Sequence, residues 1–253
     1  MSKLPILAGA AALAFLSPST AAQDHSGHDR SAGTPSDDEA MDHSRMDHSA
    51  MGHGDVASPA EGSGTARLPA NEDGHSGLHI DAGDDWMVMA HGFAWGVYSD
   101  QSGPRGDDKA YIQSMLMLSG EKDTGWGRIQ LKSMMSLEPL MSNRGYPNLF
   151  ATGETAGGEP LVDRQHPHDL FMELAARVDI NVGENGERLF LYGGPVGEPA
   201  IGPSAFMHRG SARYNPEAPI THHWFDSTHI TYGVATLGFQ TRRIQLETSL
   251  FTG

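Results

Sequence analysis

The sequence predicts an all-β fold: an antiparallel β-barrel that is incomplete at its carboxyl end and follows a disordered amino-terminal arm. Three observations predict it. From Asp84 onward, apolar and polar residues alternate in blocks, short and long connections between the blocks also alternate, and aromatic residues lie near the block ends. Bacterial outer-membrane barrels combine these features. We therefore expect residues 84–253 to form part of a barrel in the outer membrane of a Gram-negative bacterium.

Seven segments have the alternating pattern of strands. The clearest alternation is in 169–182, where even positions are apolar and odd positions include Glu173, Arg177 and Asp179. This segment also contains good helix formers, so a helix is the main alternative. Strict alternation favours a strand, because successive side chains of a strand point to opposite faces. The predicted strands are residues 84–99, 107–119, 126–137, 168–182, 187–194, 226–238 and 241–253.

The connections give the predicted strands an orientation. Tight turns at 120–125, 183–186 and 239–240 contrast with the long segments at 138–167 and 195–225. Bacterial barrels have short periplasmic turns and long outer loops, so this order places the arm in the periplasm. Such barrels normally have an even number of strands. Because the predicted number is odd and the sequence stops inside a strand, we expect either a truncated chain or one unrecognised strand within a long segment.

A soluble β-sandwich is the alternative fold, because it also has alternating strands. Three features favour the barrel. The predicted strands are long, their polar face carries several full charges, and aromatic residues such as Trp86, Trp126 and Phe239 lie near strand ends. A water-filled interior and an interfacial aromatic girdle would account for the last two features.

The first 22 residues predict a secretory signal peptide. Lys3 precedes a short apolar run at 4–16, Pro18 follows, and Thr20-Ala21-Ala22 offers small residues for cleavage after Ala22. No later run of about 18 apolar residues predicts a transmembrane helix. Residues 23–83 are rich in Asp, His, Ser, Gly, Ala and Met and poor in branched apolar residues. We expect this segment to be a disordered arm, because it buries too little apolar surface to offset the entropy of ordering.

The arm contains a repeated Met-Asp-His motif. The chain has no cysteine, so a metal site must use His, Met, carboxylate or backbone oxygen ligands. Thioether sulfur is soft and selects Cu(I), whereas imidazole also accepts Cu(II), zinc and nickel. Copper is therefore the expected metal, with zinc, nickel or a generic low-complexity tail as alternatives. The candidate ligands in the arm are Met41, His43, Met46, His48, Met51 and His53.

These repeats resemble the amino-terminal region of the outer-membrane copper resistance protein B family, in which Met-Asp-His-Ser repeats precede a β-barrel. The resemblance covers residues 41–53 and the general plan of an arm followed by a barrel. It implies copper binding by the arm. The motifs at 164–175 and 197–209 resemble instead an uncharacterised group of bacterial outer-membrane proteins, a resemblance that implies no activity.

A second set of candidate ligands lies in the long connections of the barrel part. Because both connections leave the same end of the barrel, their side chains are expected to converge on a site of two to four His with Met207 or a carboxylate, suited to copper or another borderline metal. The alternative is a polar wall of hydrogen-bonded histidines. His91, on the first strand, is expected to be structural or to face the lumen. The candidates are His166, His168, Met207, His208, His222 and His223.

The sequence lacks the common catalytic motifs, so we expect a protein that is not an enzyme. A net charge of −15 argues against nucleic acid as a partner. The expected function is to bind and handle copper, in resistance, efflux or sequestration. Metal ions, outer-membrane lipid and periplasmic copper proteins are the expected partners. A passive porin-like or structural barrel with a metal-buffering tail is the first alternative, and a barrel enzyme using Ser227 or His229 is the second.

Overall fold

The computed structural model describes residues 10–11, 62–68, 77–149, 155–156, 158–166, 168–212, 214–218, 222 and 230–252. All of these residues belong to one structural unit. They are mostly antiparallel β-sheet, which confirms the predicted all-β class. No helix in this part of the chain is both long and apolar enough to cross a membrane.

The described residues contain two short 3-10 helices, Glu138–Met141 and Phe206–His208, and a series of strands numbered here in chain order. The strands are β1 (Ala10–Ala11), β2 (Leu78–Gly83), β3 (Trp86–Asp100), β4 (Asp108–Thr124), β5 (Gly127–Met135), β6 (Tyr146–Pro147), β7 (Thr155–Ala156), β8 (Glu159–Pro160), β9 (Arg164–Gln165), β10 (Phe171–Asn181), β11 (Arg188–Gly197), β12 (Thr231–Gln240) and β13 (Gln245–Thr252).

Nine strands form one antiparallel sheet in the order β1-β13-β12-β11-β10-β5-β4-β3-β2. Its seven longer strands (β3, β4, β5, β10, β11, β12 and β13) correspond to the seven predicted strands. Each pairs with the next longer strand along the chain, as in a meander. In the described part of the chain, the outermost strands β1 and β2 do not pair with one another.

The structure differs from the prediction in two turns and at the end of the arm. The predicted turn at 239–240 lies within β12, where Phe239 pairs with Leu246 and Gln240 with Gln245, so the connection to β13 is 241–244 instead. Strand β4 continues to Thr124, which pairs with Gly127, so the connection to β5 is much tighter than the predicted turn at 120–125. The predicted boundary of the arm at residue 83 is also wrong, because the last six residues of 23–83 form β2, which pairs with β3. A strand of this length after a low-complexity segment is too short to give a clear alternating pattern.

The two faces of the sheet have opposite polarity. In β10, Leu174 and Ile180 are exposed, whereas Glu173, Arg177 and Asp179 are buried. The segment is therefore a strand rather than a helix, and its apolar side faces outward. The same arrangement recurs along the other long strands, and we call the two sides the exposed face and the buried face. Large exposed apolar side chains include Ile112, Leu116, Leu131, Leu189, Leu191, Leu237, Leu246 and Leu250.

Charged side chains on the buried face are paired. Arg177 Nη2 donates to Asp179 Oδ1 at 2.8 Å and to Gln240 Oε1 at 2.9 Å. Arg128 Nη1 donates to Glu121 Oε2 at 3.0 Å. A buried charge without a partner costs several kcal/mol, so this pairing is what allows the strands to keep charges on their buried face.

Residues 62–68, which we call the inner segment, lie against the buried face. Lys132 Nζ donates to the carbonyl oxygens of Gly62 and Gly64 at 3.1 and 2.9 Å. The Gly64 N–H donates to Glu173 Oε2 at 3.3 Å. The inner segment was predicted to belong to the disordered arm, but buried polar side chains of the strands satisfy its backbone instead.

The two long connections, 136–170 and 198–230, begin at the same end of the sheet. Met135 at the end of β5 pairs with Leu116 on one side and Phe171 on the other. Strand β10 in turn pairs with β11 so that Leu174 lies opposite Val196, near the end of β11. This shared end is where the candidate ligands of the two connections come together.

Candidate metal centre

Three histidines from the two long connections converge, and we call them the histidine centre. His166 follows β9, His168 precedes β10, and His222 lies in the connection between β11 and β12. Each offers a ring nitrogen, and these nitrogens all lie within 4.8 Å of one another. His166 and His222 are fully buried, and His168 is half-buried. Metal–nitrogen bonds of about 2.0–2.1 Å would fit this spacing after small rotations of the rings.

A buried carboxylate lies behind the histidine centre. Glu138, the first residue of the 3-10 helix that follows β5, is 2% exposed. Its Oε2 lies 2.5 Å from His166 Nδ1 and accepts a hydrogen bond from the His168 N–H at 3.2 Å. An ionised carboxylate only accepts, so with Glu138 ionised His166 donates through Nδ1 and keeps Nε2 for a ligand. A carboxylate that orients a histidine in this way is common around protein-bound metals.

Aromatic rings form the walls of the histidine centre. Tyr146 stacks on His166 with ring centroids 5.4 Å apart, and Tyr111 stacks on Tyr146 at 4.8 Å. Phe206 meets His222 edge to face at 5.0 Å. Packing on this scale restricts the rotamers of both buried imidazoles, which preorganises their nitrogens before any ligand arrives.

The backbone around His166 depends on a glycine. His166 has φ +61°, a left-handed conformation that costs a residue with a Cβ about 1 kcal/mol. Gly145, with φ +62°, lies so close that an added Cβ would be 2.1 Å from the His166 carbonyl oxygen. The β6–β9 pairing, in which Tyr146 lies opposite Gln165, holds these two backbone segments together. Such strain persists where the surrounding structure fixes it and is often found at functional sites.

The other predicted ligands are placed differently. Met207 and His208, which we expected beside the other histidines, lie in an adjoining cluster of buried methionines. The reason is local: both belong to the short 3-10 helix Phe206–His208, which directs them onto β4 and β5. The remaining candidates, His223 and the arm ligands Met41, His43, Met46, His48, Met51 and His53, lie outside the described residues.

Comparisons with protein-family models, curated proteins and solved structures found no match for this chain. The geometry of the site is therefore the basis for any functional conclusion. Sequence reasoning missed Glu138 and Tyr146. The available signal for Glu138 was its position before Pro139 near the start of a long connection. That connection has no periodicity that would indicate where the Glu138 side chain points.

Proposed function

We propose that this protein is an outer-membrane metal-handling protein, and that His166, His168 and His222 bind one borderline metal ion, copper first among them. The observation that carries the proposal is the convergence of three ring nitrogens within 4.8 Å beside the buried carboxylate of Glu138. Three imidazoles are a ligand set for Cu(II), zinc or nickel, and they leave a coordination position for a further ligand. The half-buried His168 would lie on the side from which an ion enters.

Electrostatics supports a divalent ion at this place. Burying an isolated carboxylate is costly, and Glu138 is almost completely buried. A metal ion bound through Nε2 of His166 would add positive charge one imidazole ring away from this carboxylate. The carboxylate would in turn make His166 a more basic ligand.

The polarity of the sheet supports the membrane part of the proposal. Soluble monomers rarely expose apolar patches larger than a few hundred Å². Here the exposed face carries large apolar side chains on several strands, including Leu131, Leu191 and Leu246, while charges lie on the buried face. Apolar outside and polar inside is the pattern of a transmembrane β-barrel. We propose that the sheet is the wall of such a barrel and that the predicted signal peptide directs its export.

The proposal gives the arm a separate task. Its thioether and imidazole ligands would capture copper in the periplasm, from metal ions directly or from periplasmic copper proteins. The barrel part would anchor the arm in the outer-membrane lipid and hold a second, more rigid site.

The test is metal titration of the purified full-length protein and of a chain in which the six arm ligands are replaced by serine, which we call the arm-substituted chain. We expect the arm-substituted chain to retain one tightly bound Cu(II) or Zn²⁺ per molecule, because the histidine centre is intact. His166→Asn and His222→Asn, made in that chain, should abolish the remaining binding. His79→Asn is the matched control, since His79 is exposed on β2. Unchanged stoichiometry in both variants would contradict the proposal.

A further inference from the structure

A row of ligand atoms crosses three neighbouring strands on the buried face. His91 on β3 lies opposite Met117 on β4, and Met117 lies opposite Met134 on β5. Residues that are directly opposite in an antiparallel pair share a face of the sheet. Met117 and Met134 are 1% and 0% exposed, so the whole row belongs to the buried face.

A second layer lies over this row. The 3-10 helix Phe206–His208 brings His208, itself 2% exposed, onto β5. His208 Nε2 lies 3.3 Å from Met134 Sδ. The rings of His91 and His208 meet nearly at right angles, with centroids 5.4 Å apart. The row and the layer above it therefore contribute one imidazole each.

Methionine dominates the surrounding core. We call its members the methionine cluster: Met115, Met117, Met134, Met172 and Met207, which pack with three buried alanines and Phe206. Among the described residues, the buried members of this cluster include no leucine or isoleucine, and the partly buried Phe93 and Ile230 pack against it. The neighbouring carboxylate of Glu173 is engaged elsewhere, because Oε1 accepts from Tyr192 Oη at 2.8 Å and Oε2 from the Gly64 N–H.

Packing alone explains this arrangement poorly. Methionine is a good filler of irregular cores, but a thioether is only a weak hydrogen-bond acceptor, so packing does not require an imidazole nitrogen to lie this close to the sulfur. The spacing of Met134 Sδ and His208 Nε2 suits two ligands of one metal ion. Bonds of about 2.0 Å to nitrogen and 2.3 Å to sulfur, opened to a tetrahedral angle, place the two ligand atoms about 3.5 Å apart. The separation of Met134 Sδ and His208 Nε2 is close to that value.

We propose that Met134, His208 and His91, with Met117 beside them, form a second metal site that takes Cu(I). Thioether sulfur is soft and selects Cu(I) among biological metals. Burying a single positive charge in this largely apolar surrounding also costs less desolvation than burying a divalent ion would. The site is separate from the histidine centre, which offers only nitrogen ligands. The two sites would therefore hold copper in different oxidation states.

The test is an anaerobic competition between a chromophoric Cu(I) chelator and the arm-substituted chain. We expect one protected Cu(I) per molecule. Met134→Leu conserves volume and removes the sulfur, and it should weaken Cu(I) binding by at least about ten-fold. His208→Asn should do the same. Met135→Leu is the matched control, because Met135 neighbours Met134 on β5 but is only half-buried and points to the other face.

Two further readouts separate the outcomes. Zn²⁺ titration of the same variants reports the histidine centre, which Met134→Leu should leave intact and His166→Asn should abolish. The X-ray absorption spectrum of bound Cu(I) should contain sulfur scattering that Met134→Leu diminishes. The proposal is overturned if the arm-substituted chain protects no Cu(I), if Met134→Leu and His208→Asn bind as the parent does, or if Met135→Leu loses Cu(I) equally.

Discussion

Replacing Glu138 by glutamine isolates the part that the buried carboxylate plays. Glutamine keeps the size of the side chain and an oxygen that can accept from His166 Nδ1, but it removes the negative charge. The contact of 2.5 Å would change from a charge-assisted hydrogen bond to a neutral one of about half the strength. Loss of a partner of this kind usually lowers metal affinity by about 10–100-fold, which is about 1.4–2.7 kcal/mol.

The thermal stability of the metal-free protein should increase or stay unchanged in Glu138→Gln. Glu138 is 2% exposed, and a buried carboxylate carries a desolvation cost that glutamine lacks. We therefore expect thermal unfolding of metal-free Glu138→Gln to begin no lower than that of the parent chain. The substitution would then lower metal affinity without lowering the stability of the metal-free protein. A purely structural role of Glu138 would not produce this result.

The assay is isothermal titration with Zn²⁺ and Cu(II) in the arm-substituted chain, combined with thermal denaturation without metal. Glu159→Gln is the matched control, because Glu159 is exposed on β8. The reasoning about Glu138 is refuted if both variants bind metal as the parent does. It is also refuted if Glu138→Gln lowers stability and affinity together, since Glu138 would then serve the fold alone.

Three other substitutions test the sheet and the loop that supports the histidine centre. Leu191→Arg, on the exposed face, should cost about 2–4 kcal/mol if that face contacts lipid, measured by folding into vesicles and gel mobility; an unaltered folding yield would argue against lipid contact. Arg177→Ala removes the closer of the two buried arginines that pair with Asp179 and leaves only Arg128, at 3.9 Å, so it should cost about 3 kcal/mol in chemical denaturation. Arg105→Ala, in an exposed pair, should cost at most about 1 kcal/mol. Similar losses in both would contradict the burial of Arg177. Gly145→Ala should lower the melting temperature much more than Gly158→Ala does. Both glycines have positive φ, but only at Gly145 would an added Cβ clash with a backbone oxygen. Equal shifts in melting temperature would contradict that explanation.

The strands could be predicted because their side-chain pattern is local. In β10 the charged residues Glu173, Arg177 and Asp179 occupy odd positions, and that register alone separates the strand from a helix. The convergence of His166 with His222 also followed from the sequence, since alternating short and long connections place both long segments at one end. Each inference needed only spacing along the chain.

The structural features that the sequence did not predict depend on contacts between residues that are far apart in the chain. The inner segment at 62–68 has no apolar periodicity, and its backbone is satisfied by Lys132 and Glu173 of two different strands. The position of His208 over Met134, rather than beside the other histidines, is set by a 3-10 helix within an irregular connection. Neither contact has a signature in composition or spacing, so only the folded chain reveals it.

The most direct measurement of the central claim is the X-ray absorption spectrum of the arm-substituted chain loaded with one Cu(II) or Zn²⁺. We expect a first shell of nitrogen at about 2.0 Å with the multiple-scattering pattern of imidazole rings. In His222→Asn that imidazole pattern should diminish. A spectrum without imidazole scattering, or one that His166→Asn and His222→Asn leave unchanged, would contradict a metal site at the histidine centre.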